Sequence, residues 1–210
     1  MKSARAIVPV EDYRPTPPID FDEESAKPTL EQLVRENASL RRALADSSQM
    51  RNLAFRDPLT DLWNRHVFES RLLEELCRAR YRPGCYLSIV VVDVLGMTAT
   101  NEIHGRDAGD RSLKGIACLL REAVRDYDVV ARLGGDEFAI LLPDADGKGA
   151  AHVVARIRRL VMDANGRWGL PLGVSIGTAT TPDGETSGSS LLRCAEVAMQ
   201  CDMERREGLI

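Results

Sequence analysis

No apolar period develops over residues 1–28, and one begins just past them. Leu30, Leu33, Asn37, Leu40, Leu44, Ser47, Arg51 and Ala54 recur at alternating spacings of three and four, the seam of a heptad repeat. Thr29 is placed to cap the start. If Leu30 takes an a position, Asn37 takes one too, and a buried amide there is best satisfied by its own copy in a parallel dimer. The pattern over residues 29–56 predicts a parallel two-stranded helix. A single amphipathic helix packed on the following domain is the alternative, since polar Ser47 and Arg51 interrupt the seam.

Beyond the seam, helix and strand periods alternate. Helical spacing covers Arg65–Arg80, and Tyr86–Asp93 is a continuous β-rich run suited to a central strand. Asp107–Arg125 is helical in period. Val129–Arg132 and Phe138–Leu142 are short apolar strands separated by a Gly-Gly turn, which predicts a hairpin. Gly149–Met162 predicts a helix, Leu172–Ala179 a strand and Ser190–Arg205 a terminal helix. The order of these elements predicts an α/β (α+β) sandwich of the ferredoxin-like group, a mixed sheet flanked by helices and preceded by a coiled-coil helix. Three segments follow: 1–28, a helix over 29–56 and a domain over 57–210.

Composition narrows this picture. Residues 1–28 hold half of the ten prolines and several acids, too little apolar surface to offset ordering entropy, and read as disordered. The other residues supply a real core, since 44% of the chain is hydrophobic. A formal charge of -4 excludes a general nucleic-acid polymer binder, which needs a basic surface. No apolar run is long enough to insert in a membrane and Met1–Val10 lacks the pattern of a secretory signal, so a cytoplasmic location is expected. Five cysteines without a C-x-x-C pair suggest neither a disulfide framework nor a zinc site, and read as small core or helix-face residues. The three histidines are too scattered to indicate a metal.

The chemistry concentrates in Arg132-Leu133-Gly134-Gly135-Asp136-Glu137-Phe138. Two glycines, Gly134 and Gly135, let a hairpin turn pass close to a phosphate, and the acids beside them can hold Mg²⁺. Asp93 closes the strand before the hairpin. If that strand lies beside the hairpin, Asp93 and Asp136 share a metal site of the kind polymerases use. An isolated Gly-Gly-Asp is more often a plain tight turn, so its surroundings decide.

Those surroundings are Asp57-Pro58-Leu59-Thr60-Asp61-Leu62-Trp63-Asn64-Arg65, then Asn101, Gly105, Gly109-Asp110, the hairpin and Val174-Ser175-Ile176-Gly177. In this order they resemble the successive motifs of the diguanylate cyclase (GGDEF) family over about residues 55–205. The resemblance implies a nucleotidyltransferase that condenses two GTP into cyclic di-GMP and two pyrophosphates, each protomer of a homodimer presenting one GTP. It implies Mg²⁺, or Mn²⁺, held by Asp93, the Val94 carbonyl, Asp136 and Glu137. Asp136 and Glu137 are then the catalytic acids, with Glu137 binding metal or helping deprotonate the attacking hydroxyl. Asn101 and Asp110 match the guanine-reading positions, where a carboxylate suits the donors N1–H and the 2-amino group. Arg125 and Asp128 match the inhibitory cyclic di-GMP site, an R-x-x-D with five residues between it and Gly134. The stretch Asp57–Arg65 matches the turn joining a signalling helix to the domain, although helix capping alone would also explain it.

The sequence departs from the family at phosphate-facing positions. Leu95 replaces a second Asp, Thr98 a Lys, Met203 a Lys and Glu207 an Arg; Arg106 and Lys114 are candidate substitutes. Two classes of function therefore stand beside each other: a weak, product-inhibited cyclase, and a degenerate relative acting as a cyclic di-GMP receptor through Arg125 and Asp128. A dimeric signalling scaffold is a third. With no sensor motif before the helix, any input is expected through residues 1–28 or from an upstream sensor protein.

Overall fold

A strand as apolar on both sides as Leu87–Leu95 is stable only inside a sheet with helices over both faces, and that is where it lies. In chain order the elements are α1 (Leu30–Phe55), β1 (Trp63–Asn64), α2 (Arg65–Arg80), β2 (Leu87–Leu95), α3 (Met97–His104), α4 (Arg106–Glu122), β3 (Val129–Gly134), β4 (Glu137–Pro143), α5 (Gly147–Trp168), β5 (Gly173–Thr180) and α6 (Gly188–Glu207). The computed structural model describes residues 30–82, 84–168, 173–181 and 187–207. One mixed sheet holds the strands in the order β1-β3-β4-β2-β5. β1 runs parallel to β3, and the other neighbours are antiparallel.

The two-residue period of β2 sorts its side chains between two cores. Val90, Val92 and Val94 pack with Phe138, Ile140 and Ile176 of the flanking strands against Ile116 and Leu120 of α4 and Ile157 of α5. Leu87, Ile89 and Val91 pack with Ala139 and Leu141 against Phe68 and Leu72 of α2 and Leu191 and Ala195 of α6. Continuing the alternation places Asp93 on the α2/α6 face, at the end of β2 where the β3–β4 turn stands beside it. The fold thus delivers one carboxylate to the sheet edge that carries the glycine turn.

The expected α/β sandwich is the one observed, with two elements added. β1 is only two residues long and shows no period of its own; its pairing with β3 creates it. α3 buries only Met97 and Thr100 and starts from Gly96 in a left-handed conformation, so its apolar face is too narrow to stand out in sequence. Of the two places expected for the cysteines, helix faces hold Cys77, Cys118, Cys194 and Cys201, all exposed, while Cys85 is half-buried in a loop and none lies in the core. The chain divides into two units between Asp46 and Ser47, within α1. In the first, the seam residues Leu33, Asn37 and Leu40 are exposed. Thr29 and the expected disorder of residues 1–28 lie outside the described residues. Among those described, no helix is long and apolar enough to cross a membrane.

Gly177 sets how closely α6 lies on the sheet. A Cβ built there would fall 2.1 Å from the Ala195 carbonyl oxygen and 2.1 Å from the Met199 nitrogen, both backbone atoms that cannot swing aside. Gly177→Ala is expected to destabilise the fold by about 2–4 kcal/mol through this overpacking. Denaturant melts of the two proteins check it, with a lowered midpoint expected in the variant.

Candidate functional site

The site is assembled from the turn that follows α1. Asp57 Oδ1 accepts from the Thr60 backbone N–H at 2.8 Å and from the Thr60 hydroxyl at 2.7 Å, closing a tight loop on itself. Asp61 follows in left-handed backbone at φ 56°, a conformation rare for a residue with a side chain. Its carbonyl is held by Arg56, at 2.6 Å, and by Arg121 of α4, and its carboxylate faces the same two guanidinium groups. Arg56 also stacks on the Trp63 ring, 4.1 Å from its centroid. Asn64 then caps α2 by accepting from the Val67 N–H, while its amide reaches back to the Ala54 carbonyl.

Arg132 joins this turn to the glycine hairpin. One Nη of its guanidinium donates to Asp57 Oδ1 at 3.0 Å, while Nε and the other Nη donate to the Gly135 carbonyl. The pair is shielded, with side-chain exposures of 12% and 18%. Burial alone would raise the Asp57 carboxyl, but the hydrogen bonds from Thr60 and Arg132 outweigh it and hold the group below its ordinary value. Gly134 at φ 148° and Gly135 at φ 53° take the turn conformation a side chain disfavours, leaving bare backbone beside Asp136.

Three acids meet at this turn. Asp93 and Glu137 are directly opposite in the β2–β4 ladder, and the Val94 N–H donates to the Asp136 carbonyl at 3.2 Å, so the Val94 peptide is one hydrogen bond from the turn. Burial, then the charges of Asp136 and Glu137, push the Asp93 carboxyl up to about 6. Glu137 is likewise raised, first by burial and then by Glu196 of α6 and Asp136, with Arg65 opposing. Arg65, at the start of α2, donates to the Leu133 carbonyl at 3.0 Å and pairs with Glu137 at 3.4 Å. Among the described residues no three acids, cysteines or histidines are gathered at the spacing of a complete metal cage. Hard carboxylate and carbonyl oxygens in this number nevertheless fit Mg²⁺, which takes one or two protein carboxylates and fills its remaining positions from water and substrate phosphate.

The expected guanine pair is also adjacent. A Cβ on Gly109 would lie 2.0 Å from Asn101 Oδ1, so the Asn101 side chain rests on the backbone next to Asp110, and both groups are exposed. Thr98, Arg106 and Lys114 are exposed on α3 and α4, while Met203 is half-buried on α6. Arg125 and Asp128 lie together in the α4–β3 turn, where Asp128 Oδ2 accepts from the Arg125 backbone N–H at 2.8 Å. Burial raises the Asp128 carboxyl, opposed by Arg125 and by Arg156. Sequence reading missed Arg156: it comes from α5, bonds the Ala123 carbonyl and stands near Asp128 only through the fold. It missed Tyr127 as well, whose hydroxyl and ring hold the Arg125 guanidinium.

Residues 54–207 match the family model described as diguanylate cyclase, GGDEF domain. The probable diguanylate cyclase DgcT of Escherichia coli is 31% identical over 155 residues, 71% of this chain and 33% of that protein. Among solved structures, the coiled coil and GGDEF domain of DgcB from Caulobacter crescentus, in complex with c-di-GMP, superposes with a TM-score of 0.71 at 25% identity, covering 83% of this chain and 93% of that one. Diguanylate cyclase SiaD from Pseudomonas aeruginosa, in complex with its activator SiaC, gives 0.67 at 31% identity, covering 84% and 68%. The chain spans only 22–39% of the length of the first curated relatives it matches.

Removing the Arg132 guanidinium strands a shielded Asp57 carboxylate and frees the Gly135 carbonyl. Arg132→Ala is expected to lose about 3 kcal/mol of stability at neutral pH. Because Asp57 is depressed in the fold, its contribution is present above its ordinary value of 3.8 and is lost as pH falls through the lower folded value. Urea melts as a function of pH are therefore expected to fall less steeply at acidic pH in the variant than in the parent.

Proposed function

Since this chain belongs to the GGDEF family of diguanylate cyclases, we propose that it condenses two GTP into cyclic di-GMP, releasing two pyrophosphates. The observation that carries the reading is the meeting of Asp93, Asp136 and Glu137 at a glycine turn whose backbone is locked by Arg132. In each half-reaction a ribose 3′-oxygen forms a bond to the α-phosphorus of the other nucleotide as the bond from that phosphorus to the β-bridging oxygen breaks. Pyrophosphate leaves with the electron pair, and Glu137 helps to take the hydroxyl proton.

Asp93, Asp136, the Val94 carbonyl and Glu137 would hold Mg²⁺ or Mn²⁺, which supplies positive charge for the triphosphate and for the oxygens that gain charge in the transition state. Gly134 and Gly135 let the phosphates approach the backbone of the turn, free of side chains. Asn101 and Asp110 select guanine, since adenine offers that acid an acceptor at N1 and no amino group at C2. Two half-sites must meet, and pairing of residues 29–56 into a parallel homodimer raises their effective concentration. Cyclic di-GMP binds back at Arg125 and Asp128, with Arg156 as a third contact, and restrains the domain. The c-di-GMP complex of DgcB and the SiaC complex of SiaD support a ligand of this kind and regulation by a partner protein in this family.

Purified protein stripped of bound nucleotide and given GTP with Mg²⁺ is expected to form cyclic di-GMP, followed by chromatography, and Glu137→Gln to reduce the rate by at least about 100-fold. A parent that makes no product yet binds cyclic di-GMP through Arg125 would be a receptor instead, and one that does neither a scaffold. Cyclic di-GMP affinity measured by calorimetry is expected to fall about tenfold or more in Arg125→Ala. Metal binding requires the ionised form of Asp93, so Mg²⁺ affinity is expected to climb as pH rises through about 6 and to level off above it. The same proton makes the metal-free fold gain stability from Asp93 as pH falls below about 6, the opposite sign to Asp57.

A further inference from the structure

Among the described residues, Ser175 Oγ is the buried side-chain polar atom left without a hydrogen-bond partner, and the residue is 0% exposed. Other buried serines are satisfied within the fold: Ser112 donates to the Ala108 carbonyl at 2.9 Å and Ser88 to the Ala145 carbonyl at 2.7 Å. A shielded hydroxyl with no partner is desolvated without return, and an alanine there would avoid that cost.

Its position says what the hydroxyl is for. Ser175 of β5 is directly across from Asp93 of β2, and Asp93 is directly across from Glu137 of β4. Three polar side chains therefore stand in one row over three adjacent strands, on the face that α2 and α6 cover. Facing residues on neighbouring strands bring their Cβ atoms to about 4.5–5.5 Å, a span that a hydroxyl and a carboxylate bridge by side-chain rotation. Two residues along the same face, Gly177 lies under the α6 backbone, so the helix seals this side of β5 from water.

We infer that Ser175 is a positioning residue for Asp93: its hydroxyl donates to the carboxylate when Asp93 ligates a divalent cation and fixes which oxygen faces the ion. The inference rests on the metal reading above. A ligating carboxylate presents one oxygen to the metal and needs a donor on the other to hold its plane, and removing such a donor typically weakens metal binding by about tenfold or more.

The test titrates the full chain, Ser175→Ala, Ser175→Cys and Asp93→Asn with Mn²⁺ at a pH where Asp93 is ionised, reading the free ion by electron paramagnetic resonance, and melts each protein in chelator. Ser175→Ala is expected to weaken Mn²⁺ binding about tenfold. Ser175→Cys, which fills the same space but donates weakly, should show a similar loss. Without metal, Ser175→Ala should melt at the parental temperature or up to ~5 °C above it, because an unpaired group has been removed. Parental Mn²⁺ affinity in Ser175→Ala, with affinity lost in Asp93→Asn, would overturn the role of Ser175 and leave the metal site standing. Weaker binding accompanied by a lower melting temperature would overturn it too, since packing would then explain the effect. A parent chain that takes up no Mn²⁺, with Asp93→Asn indistinguishable from it, would sink the metal reading and this inference together.

Discussion

The guanidinium of Arg132 is the joint on which the site depends. One side chain answers three demands that no apolar residue can meet: it neutralises Asp57, satisfies the Gly135 carbonyl and ties residues far apart in the chain. The glycines of the turn have no side chains to hold their shape, and their conformational freedom carries an entropic cost. Arg132 offsets that cost at the carbonyl from which Asp136 projects. The same residue receives whatever strain arrives at Asp57, three residues past the last turn of α1 at Ala54.

Around this joint, charge is deliberately unbalanced. Asp93, Asp136 and Glu137 repel one another, and Glu196 adds to the field at Glu137. Arg65 faces Glu137 but is half exposed, so solvent screens the pair and its compensation of Glu137 is weak. A folded protein tolerates such a cluster when a ligand removes the repulsion, and a small divalent cation does so most directly. The raised carboxyls of Asp93 and Glu137 and the orphan hydroxyl of Ser175 lie in one row across three strands, at the end of the sheet where the bare turn backbone stands.

Much of this was legible in the sequence, and what was not has physical causes. The β2 run, the hairpin and the α4 period declare themselves because burial on a sheet or a helix stripe imposes a fixed repeat on neighbouring residues. Asp93, Asp136, Asn101, Asp110, Arg125 and Asp128 were nominated because each sits in a short spaced motif. Arg156 escaped, since a lone arginine on a helix carries no local mark and only the packing of α5 brings it to Asp128. Ser175 stood within a recognised motif, yet its significance lies in what it fails to bond, which sequence cannot express. β1 exists only through its partner, and the clasp of Arg56 and Arg121 on Asp61 follows from a backbone angle rather than from any pattern of residue types.

The departures at Thr98, Met203 and Glu207 bear on binding more than on chemistry. Each lost charge-assisted phosphate contact removes about 1.5–3 kcal/mol, so on the proposed reading a triphosphate would be held less tightly by several kcal/mol in sum. Contacts to groups whose charge changes little during reaction stabilise ground state and transition state alike, and losing them raises KM while sparing kcat. On the proposed reading the acids at the turn act where bonds form and break, and Asp93, Asp136 and Glu137 are all present. On the proposed cyclase reading the chain would need more GTP, or a dimer held closer by its helix, rather than a different mechanism. Arg106 and Lys114 are exposed along α4, the helix that carries Asp110, which keeps them the candidate substitutes for the missing cations.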